Sequence, residues 1–405
     1  QGTAFAKGLS YSAGVGYDYF SQRYFLDSTT GTTPDTFLTR FAYTSNYLND
    51  FKGTLGVSYR SADDRTLELR GGYEQTAHLL RTKFSGTWRP KLGPGKIDWH
   101  SEADWRHQFS GSPSSGTSYL LGSTVLRYKL PMGASTNLWA SGQADGVHFA
   151  DSAAYAYDYV RGGGKIGVDR AFGDFNQIQA DAFILGRSVP DSGSLSYFSG
   201  GLESSLFGTF GKFDLDLLSR FEIKDYKRAD ELDDYTRLDV DGRCRVRLGE
   251  QFFARSDFSG DFTWYKPADQ LNPSYQRVAI AALAGPEWGE WSIGLGPSVE
   301  FLHQRPSDAT DREDYLELGG RASLDLVAPG KAVASLESTT GRRTIKYPSS
   351  FLTSFNFERL SLFADWTIFG GLSLNTLGTA EWEWHSDSAN NNALFLISSN
   401  LVFRF

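Results

Sequence analysis

The sequence has one cysteine and one methionine in 405 residues. A lone Cys244 excludes an intrachain disulfide, a cysteine-rich metal site and the Cys-x-x-Cys-His attachment of a covalent haem. No metal and no cofactor are therefore expected on this chain. Long apolar runs are also scarce. The longest, Val278 to Ala284, has seven residues, against about 20 for a helix that crosses a bilayer, so no stretch reads as a transmembrane helix. Basic residues do not dominate: 40 Lys and Arg stand against 48 Asp and Glu, a net charge of −8. A generic nucleic-acid binder shows the opposite balance, so nucleic acid is not an expected partner. Gln1 does not begin a signal peptide and reads as an N-terminus left by processing.

What the chain has in quantity is aromatic side chains, 15% of the whole, and 43 glycines. Their spacing is regular. In the last stretch, Phe395, Ile397, Ser399, Leu401, Phe403 and Phe405 fall on one face, and Ser398, Asn400, Val402 and Arg404 on the other. A period of two over a dozen residues is a β-strand with unlike faces. The same alternation sets Trp382 and Trp384 against Glu381, Glu383 and His385, and Trp99 and Trp105 against Asp98, Glu102 and Asp104. It sets Phe258, Phe262 and Trp264 against Arg255, Asp257 and Asp261, and Leu9 to Tyr19 opens the chain in the same way.

The connections between strands alternate in character. Tight turns fall at Phe369-Gly370-Gly371, Ala328-Pro329-Gly330, Pro286-Glu287-Trp288-Gly289, Leu248-Gly249-Glu250, Phe210-Gly211-Lys212, Phe172-Gly173-Asp174 and Leu130-Pro131-Met132-Gly133. Longer polar loops are expected between them, at 386–392, 341–351, 304–312, 266–273, 226–234, 187–195 and 110–116. A soluble sandwich has no reason to sort its connections by side, whereas a barrel that crosses a membrane does.

Amphipathic strands, sided connections and a closing strand that ends on Phe405 resemble a bacterial outer-membrane β-barrel of the porin type. The resemblance implies an all-β fold: a single antiparallel transmembrane barrel over residues 1–405, with short periplasmic turns, modest extracellular loops and no plug domain. It implies an outer-membrane location, lipid and lipopolysaccharide as neighbours, and an assembly machinery that reads the aromatic end. Charge facing lipid is costly, so the charged faces are placed in the lumen and the aromatic ones outside. Phe405, Phe403, Leu401, Phe395, Trp382 and Trp384 are then lipid-facing or assembly residues. About 21 strand-like segments can be traced, but single-chain bacterial barrels have even numbers. We expect about 20 strands, with roughly 18 and 22 as the neighbours that rule allows. The parity is unresolved in 47–95, where Ser61-Ala62-Asp63-Asp64 and Glu74–His78 each read as a turn or a bend.

A barrel of that size encloses water. Its charged lining is expected from Arg237, Asp239, Asp241, Arg243, Arg245 and Arg247, flanked by Asp214, Asp216 and Arg220 on one side and Arg255, Asp257 and Asp261 on the other. Asp98, Glu102, Asp104, Glu381 and Glu383 add to it. Opposed rows of charge can select polar solutes as charged rings do in other pores. The plainer reading is a cross-strand ladder of salt bridges on a wet wall. The first functional expectation is thus a channel for polar solutes. The alternative, drawn from short loops and an unfilled bore, is a sheath around a lumen-filling protein, similar to porin–cytochrome electron conduits, or an exporter of polysaccharide or protein.

An outer-membrane hydrolase is a third class, with His100, His107, Ser101, Ser110 and Asp104 as its only clustered candidates. Alternation puts His107 on the opposite face from His100 and Asp104, so no nucleophile with an oriented base emerges and no catalytic residue is assigned. The acidic runs 228–234 and 308–314 lack the ligand spacing of a calcium loop and read as solvated rim. Arg161-Gly162-Gly163-Gly164-Lys165 lacks the strand–loop–helix setting of a phosphate cradle and reads as a bend in the wall.

Overall fold

The structure, a computed structural model, describes residues 8–30, 37–60, 67–77, 79–109, 118–150, 157–173, 175–227, 234–266, 273–305, 313–348, 353–386 and 390–404, with the backbone alone for 18–30, 37–50 and 404. The strands are β1 (Leu9–Thr30), β2 (Phe37–Arg60), β3 (Leu67–Gln75), β4 (Leu79–Trp88), β5 (Lys91–Leu92), β6 (Gly95–Gln108), β7 (Tyr119–Pro131), β8 (Thr136–Phe149), β9 (Tyr159–Phe172), β10 (Asn176–Ser188), β11 (Tyr197–Phe210), β12 (Phe213–Tyr226), β13 (Asp234–Arg247), β14 (Phe252–Lys266), β15 (Ser274–Trp288), β16 (Trp291–Arg305), β17 (Tyr315–Ala328), β18 (Ala332–Ile345), β19 (Phe355–Phe369), β20 (Leu372–His385) and β21 (Asn392–Arg404). Apart from β4 and β5, which both pair with β6, successive strands pair antiparallel. β1 closes the circle, with Leu9 opposite Tyr59 on β2 and Ala13 opposite Phe403 on β21.

The parity question has a local answer. β5 is two residues long and resumes the path of β4 beyond Arg89-Pro90, pairing with the same strand, β6. Counted as one strand, β4 and β5 leave a wall of 20, an even number. Proline breaks the ladder there because it has no N–H to donate. Glu74 and Gln75 complete β3, Thr76 and Ala77 lie between β3 and β4, and Ser61-Ala62-Asp63-Asp64 and His78 lie outside the described residues.

Every positive-φ glycine among the described residues lies in a short turn on one side of the barrel, at Gly93, Gly133, Gly173, Gly211, Gly249, Gly289, Gly330, Gly370 and Gly371. The left-handed region costs glycine least, which is why these turns are legible as sequence. One long loop is displaced from its expected position. β18 runs on to Ile345, so the connection is 346–354 rather than 341–351. Arg343 stays in the strand because its guanidinium pairs with Glu317 across the ladder at 2.5 Å. A further long connection, 150–158, joins β8 to β9.

The long loops share a clasp. The backbone N–H within one residue of the end of one strand donates to a short side chain at or just before the start of the next. Phe149 gives to Asp158 (2.8 Å), Tyr226 to Asp234 (2.7 Å), Gln304 to Asp314 (2.7 Å) and Ile345 to Ser354 (3.0 Å). The same bond recurs from Gln108 to Ser118, Val189 to Ser196, Tyr265 to Ser274 and His385 to Asn391. At Asp158 the Phe149 N–H and then the His148 ring hold the carboxyl below its ordinary range. Asp234 and Asp314 are the described ends of the two acidic runs; 228–233 and 308–312 lie outside the described residues.

Which face is inside follows from reach. Arg255 on β14 contacts Asp325 on β17 (3.6 Å) and Glu337 on β18 (3.3 Å). Side chains three and four strands apart converge only on the concave side of a curved wall. The charged face is therefore the lumen. The convex face carries Ile166, Leu202, Leu295 and Trp366, all exposed. Ile166, in the middle of β9, is expected on this basis to reject charge. Ile166→Arg should cost about 2–4 kcal/mol when urea refolding into lipid vesicles is titrated, as for lipid-facing midplane sites. A variant that refolds like the parent would reverse the orientation.

Candidate functional site: the charged lumen

Alternate residues of β12, β13 and β14 bring the predicted lining residues to one face. Arg237 pairs with Asp239 (2.9 Å) on its own strand and Asp261 (3.0 Å) on β14. Arg243 pairs with Asp257 at 2.8 Å, Arg245 with Glu287 at 2.7 Å and Arg247 with Asp214 at 3.7 Å. Arg220 bridges Glu203 (2.9 Å) and Glu222 (3.3 Å). On β6, Asp104 is held by Arg81, Glu102 by Lys83 at 2.7 Å and Asp98 by Arg89 at 3.4 Å. On β20, Glu381 takes Arg359 at 2.6 Å, and Glu383 accepts from the Asn392 amide at 3.4 Å. Among the described residues, Asp216 and Asp241 make no ion pair, and both are exposed in the bore. Most of the predicted lining is thus a salt-bridge ladder, with Asp216 and Asp241 outside it.

The convex face holds Phe403, Leu401, Phe395, Trp382 and Trp384, with Trp382 edge-on to Phe395 at 5.2 Å. Phe405 lies outside the described residues. Not all aromatics are outside. Trp139, Phe183, Phe253, Phe355 and Phe357 point inward and are buried. The physical reason is a cation over each ring. Arg127 sits 4.1 Å from the Trp139 ring, Arg220 4.8 Å from Phe183, Arg245 4.3 Å from Phe253, Arg343 5.2 Å from Phe355 and Arg359 4.2 Å from Phe357. These rings act as extra partners for the lining cations.

The hydrolase candidates are not assembled. His100 is bonded to Thr87 (2.9 Å), Ser101 to Thr124 (2.8 Å) and Asp104 to Arg81, while His107 faces the convex side. Ser110 is outside the described residues. The Arg161–Lys165 run lies within β9, where a Cβ on Gly163 would come 2.2 Å from the Ile184 carbonyl oxygen. Glycine there admits a close neighbouring backbone.

Sequence reasoning missed the packed corner of the lumen. Inward side chains of β14 to β19 bury one another: Phe253 is 1% exposed, Leu283 2% and Phe357 2%. At its centre the Arg255 side chain is 7% exposed and binds Asp257, Asp325 and Glu337, while Arg321 adds bonds to Asp257 (3.4 Å) and Glu337 (2.5 Å). Glu317 gathers Arg343 (2.5 Å) and Arg359 (3.0 Å) beside it. By contrast the Arg70 side chain, on β3, is 62% exposed. Inward glycines allow the curvature. A Cβ on Gly296 would lie 1.7 Å from the Ala282 oxygen, and one on Gly285 2.0 Å from the Ile293 oxygen. Next to the corner, a recess of about 570 Å³ is bordered by Asp216, Asp241, Arg243, Asp257, Glu300 and Arg359. The alternating charges at Glu317, Arg321, Asp325 and Glu337 were visible in the sequence. Their convergence on Arg255 depends on curvature, which has no period.

No protein-family model matches the sequence, and no curated protein matches it. Solved structures do. The chain is similar to the ferric citrate transporter FecA in its unliganded form, with a TM-score of 0.55 at 9% identity, over 98% of this chain and 79% of that one. It is similar to the alcaligin outer-membrane receptor FauA from Bordetella pertussis, with a TM-score of 0.51 at 11% identity, over 98% and 76%. It is similar to OccAB3 from Acinetobacter baumannii, with a TM-score of 0.50 at 12% identity, over 98% and 99%. At such identities the likeness is one of fold: the chain is a closed, 20-stranded antiparallel β-barrel of the bacterial outer-membrane type.

Proposed function

We propose that the protein is a bacterial outer-membrane channel that passes polar solutes through its lumen. The observation that carries this is the division of the wall. Ionised groups run the length of the concave face, and the convex face is apolar. A soluble barrel would have the reverse arrangement, and an ionised lining holds water. The packed corner weighs against a sheath, because between β14 and β19 the wall's own side chains occupy the space an enclosed partner would contact.

The test is conductance of the purified barrel in a planar bilayer. A steady ohmic current is the expected result, and its absence across many insertions would end the channel reading. Asp216 and Asp241, which border the recess without an ion pair, should bias the current toward cations. The Asp216→Asn, Asp241→Asn double variant is expected to move the reversal potential in a salt gradient toward anions, without a change in folding. An unmoved reversal potential would mean that those two groups do not see the ion path.

A further inference from the structure

Between β11 and β17, six tyrosines line the inner wall just inside the long-loop mouth: Tyr197, Tyr226, Tyr235, Tyr265, Tyr275 and Tyr315, on β11, β12, β13, β14, β15 and β17. Register keeps them in one slanting band. Tyr197 is opposite Tyr226, Tyr235 opposite Tyr265, and Tyr275 one inward step beyond, opposite Thr263. The rings form edge-to-face pairs, with centroids 5.8 Å apart both for Tyr197–Tyr226 and for Tyr235–Tyr265. They are held rather than loose. The Lys224 ammonium lies 4.3 Å from the Tyr197 ring and 5.1 Å from the Tyr235 ring, and the Arg343 guanidinium 3.9 Å from the Tyr315 ring. The Tyr275 hydroxyl donates to Asp261 at 3.1 Å and the Tyr315 hydroxyl to Glu300 at 2.6 Å. All six are half-buried, so part of each ring is open to the bore.

We infer that this tyrosine collar is a docking site for pyranose rings, and that saccharides are the class of polar solute the barrel takes up. The claim rests on the channel reading and names its substrate. Cations already partner Tyr197, Tyr235 and Tyr315, but the parts of the six rings left open to the bore gain from a passing solute only when it has an apolar face. A pyranose has one: its axial C–H groups form a flat apolar patch, rimmed by hydroxyls that both donate and accept. The collar offers the complement, ring faces and edges for the C–H patch, with carboxylates and cations set among them for the hydroxyls. Glu300 leads from the collar to the 570 Å³ recess below, whose border of Asp216, Asp241, Arg243, Asp257 and Arg359 continues the same polar set. An anion gains nothing from the rings, a cation finds Lys224 and Arg343 already over them, and a purely aromatic solute gains nothing from the polar rim.

The experiment adds maltohexaose, or polyethylene glycol of equal hydrodynamic size, to the long-loop side of single channels in a bilayer. The saccharide is expected to produce discrete current interruptions; the polymer, which has no ring face, only a smooth fall in current. Tyr235→Ala with Tyr265→Ala should shorten the interruptions about tenfold, two aromatic contacts' worth. The open-channel current should persist, and Tyr235→Phe with Tyr265→Phe should keep most of the residence time. Identical behaviour of sugar and polymer, or unchanged residence in the alanine variant, overturns the proposal. So does a collar that is blocked by benzoate and not by saccharide. Should the barrel carry no current, the channel reading fails by itself, and calorimetric titration of the detergent-solubilised barrel with maltohexaose then decides the collar: heat lost in the alanine variant supports it, and no heat in the parent refutes it.

Discussion

Arg255→Ala is expected to lower the unfolding free energy by about 3 kcal/mol, the loss seen when one partner of a buried ion pair is removed. Few substitutions in the lumen should do more. The Arg255 side chain is 7% exposed and holds Asp257, Asp325 and Glu337 from three strands. Without it, Asp257 and Glu337 keep only Arg321 in common, and three carboxylates face one another at short range in a poorly hydrated corner. Like charges so placed repel, and the simplest relief is for β17 and β18 to swing outward. The corner would then widen as well as weaken. Two readouts separate this from a general defect: the heating temperature at which the folded band disappears on a gel, and single-channel conductance. The first should fall and the second rise. Arg70→Ala is the control, since that side chain is 62% exposed and exposed pairs contribute about 0–1 kcal/mol. Equal effects at the two arginines would show that the corner is not the special place its geometry suggests.

Gly296→Ala should be worse still, although it adds only one methyl group. The new Cβ would stand 1.7 Å from the backbone oxygen of Ala282 and 2.8 Å from its carbonyl carbon. No rotamer change relieves a clash with main chain, so β15 and β16 must part. Overpacking in a rigid interior costs about 1–3 kcal/mol and occasionally more; here the upper end or beyond is expected, read as failure to fold into vesicles or as a barrel that unfolds in much less urea. Gly142→Ala is the counterpart on the convex face of β8, where a Cβ meets nothing within 4 Å. That variant should be neutral or slightly stabilising, because it removes freedom from the unfolded chain. A neutral Gly296→Ala would mean that the inward glycines do not set the curvature.

These two sites mark the boundary of what the residues alone convey. The period of two, the sided turns and the closing pairing of the first and last strands follow from local chemistry. Gly249 and Gly330 announce their turns, and Trp382 against Glu381 announces two faces. Strand number was readable to within one segment: the residue pattern puts the ambiguity at Ser61–Asp64 and Glu74–His78, whereas the extra segment in the structure comes from Pro90, which cuts one strand into unequal parts. The pairs Arg237–Asp261 and Arg243–Asp257 are neighbours in register and could be anticipated from adjacent strands. Arg255–Glu337 could not, since it spans four strands. Glycine at 285, 296, 319 and 341 bends the wall only when all four face inward together, a condition invisible until pairing is known. The inward Phe253 and Phe357 escaped for a related reason: an aromatic ring on the polar face looks like noise until the guanidinium above it is located.

The clasps at the long-loop mouth have a practical consequence for engineering. Each one finishes its hairpin with a hydrogen bond at the base, so the wall is complete before the outer segment begins. Lengthening a segment already pinned at both ends is cheap, roughly 0.6 kcal/mol for each doubling. Peptide epitopes or small binding modules inserted between Tyr226 and Asp234, or between Gln304 and Asp314, should therefore stand clear of the long-loop mouth without disturbing the barrel beneath. The molecule offers ready-made ports for display.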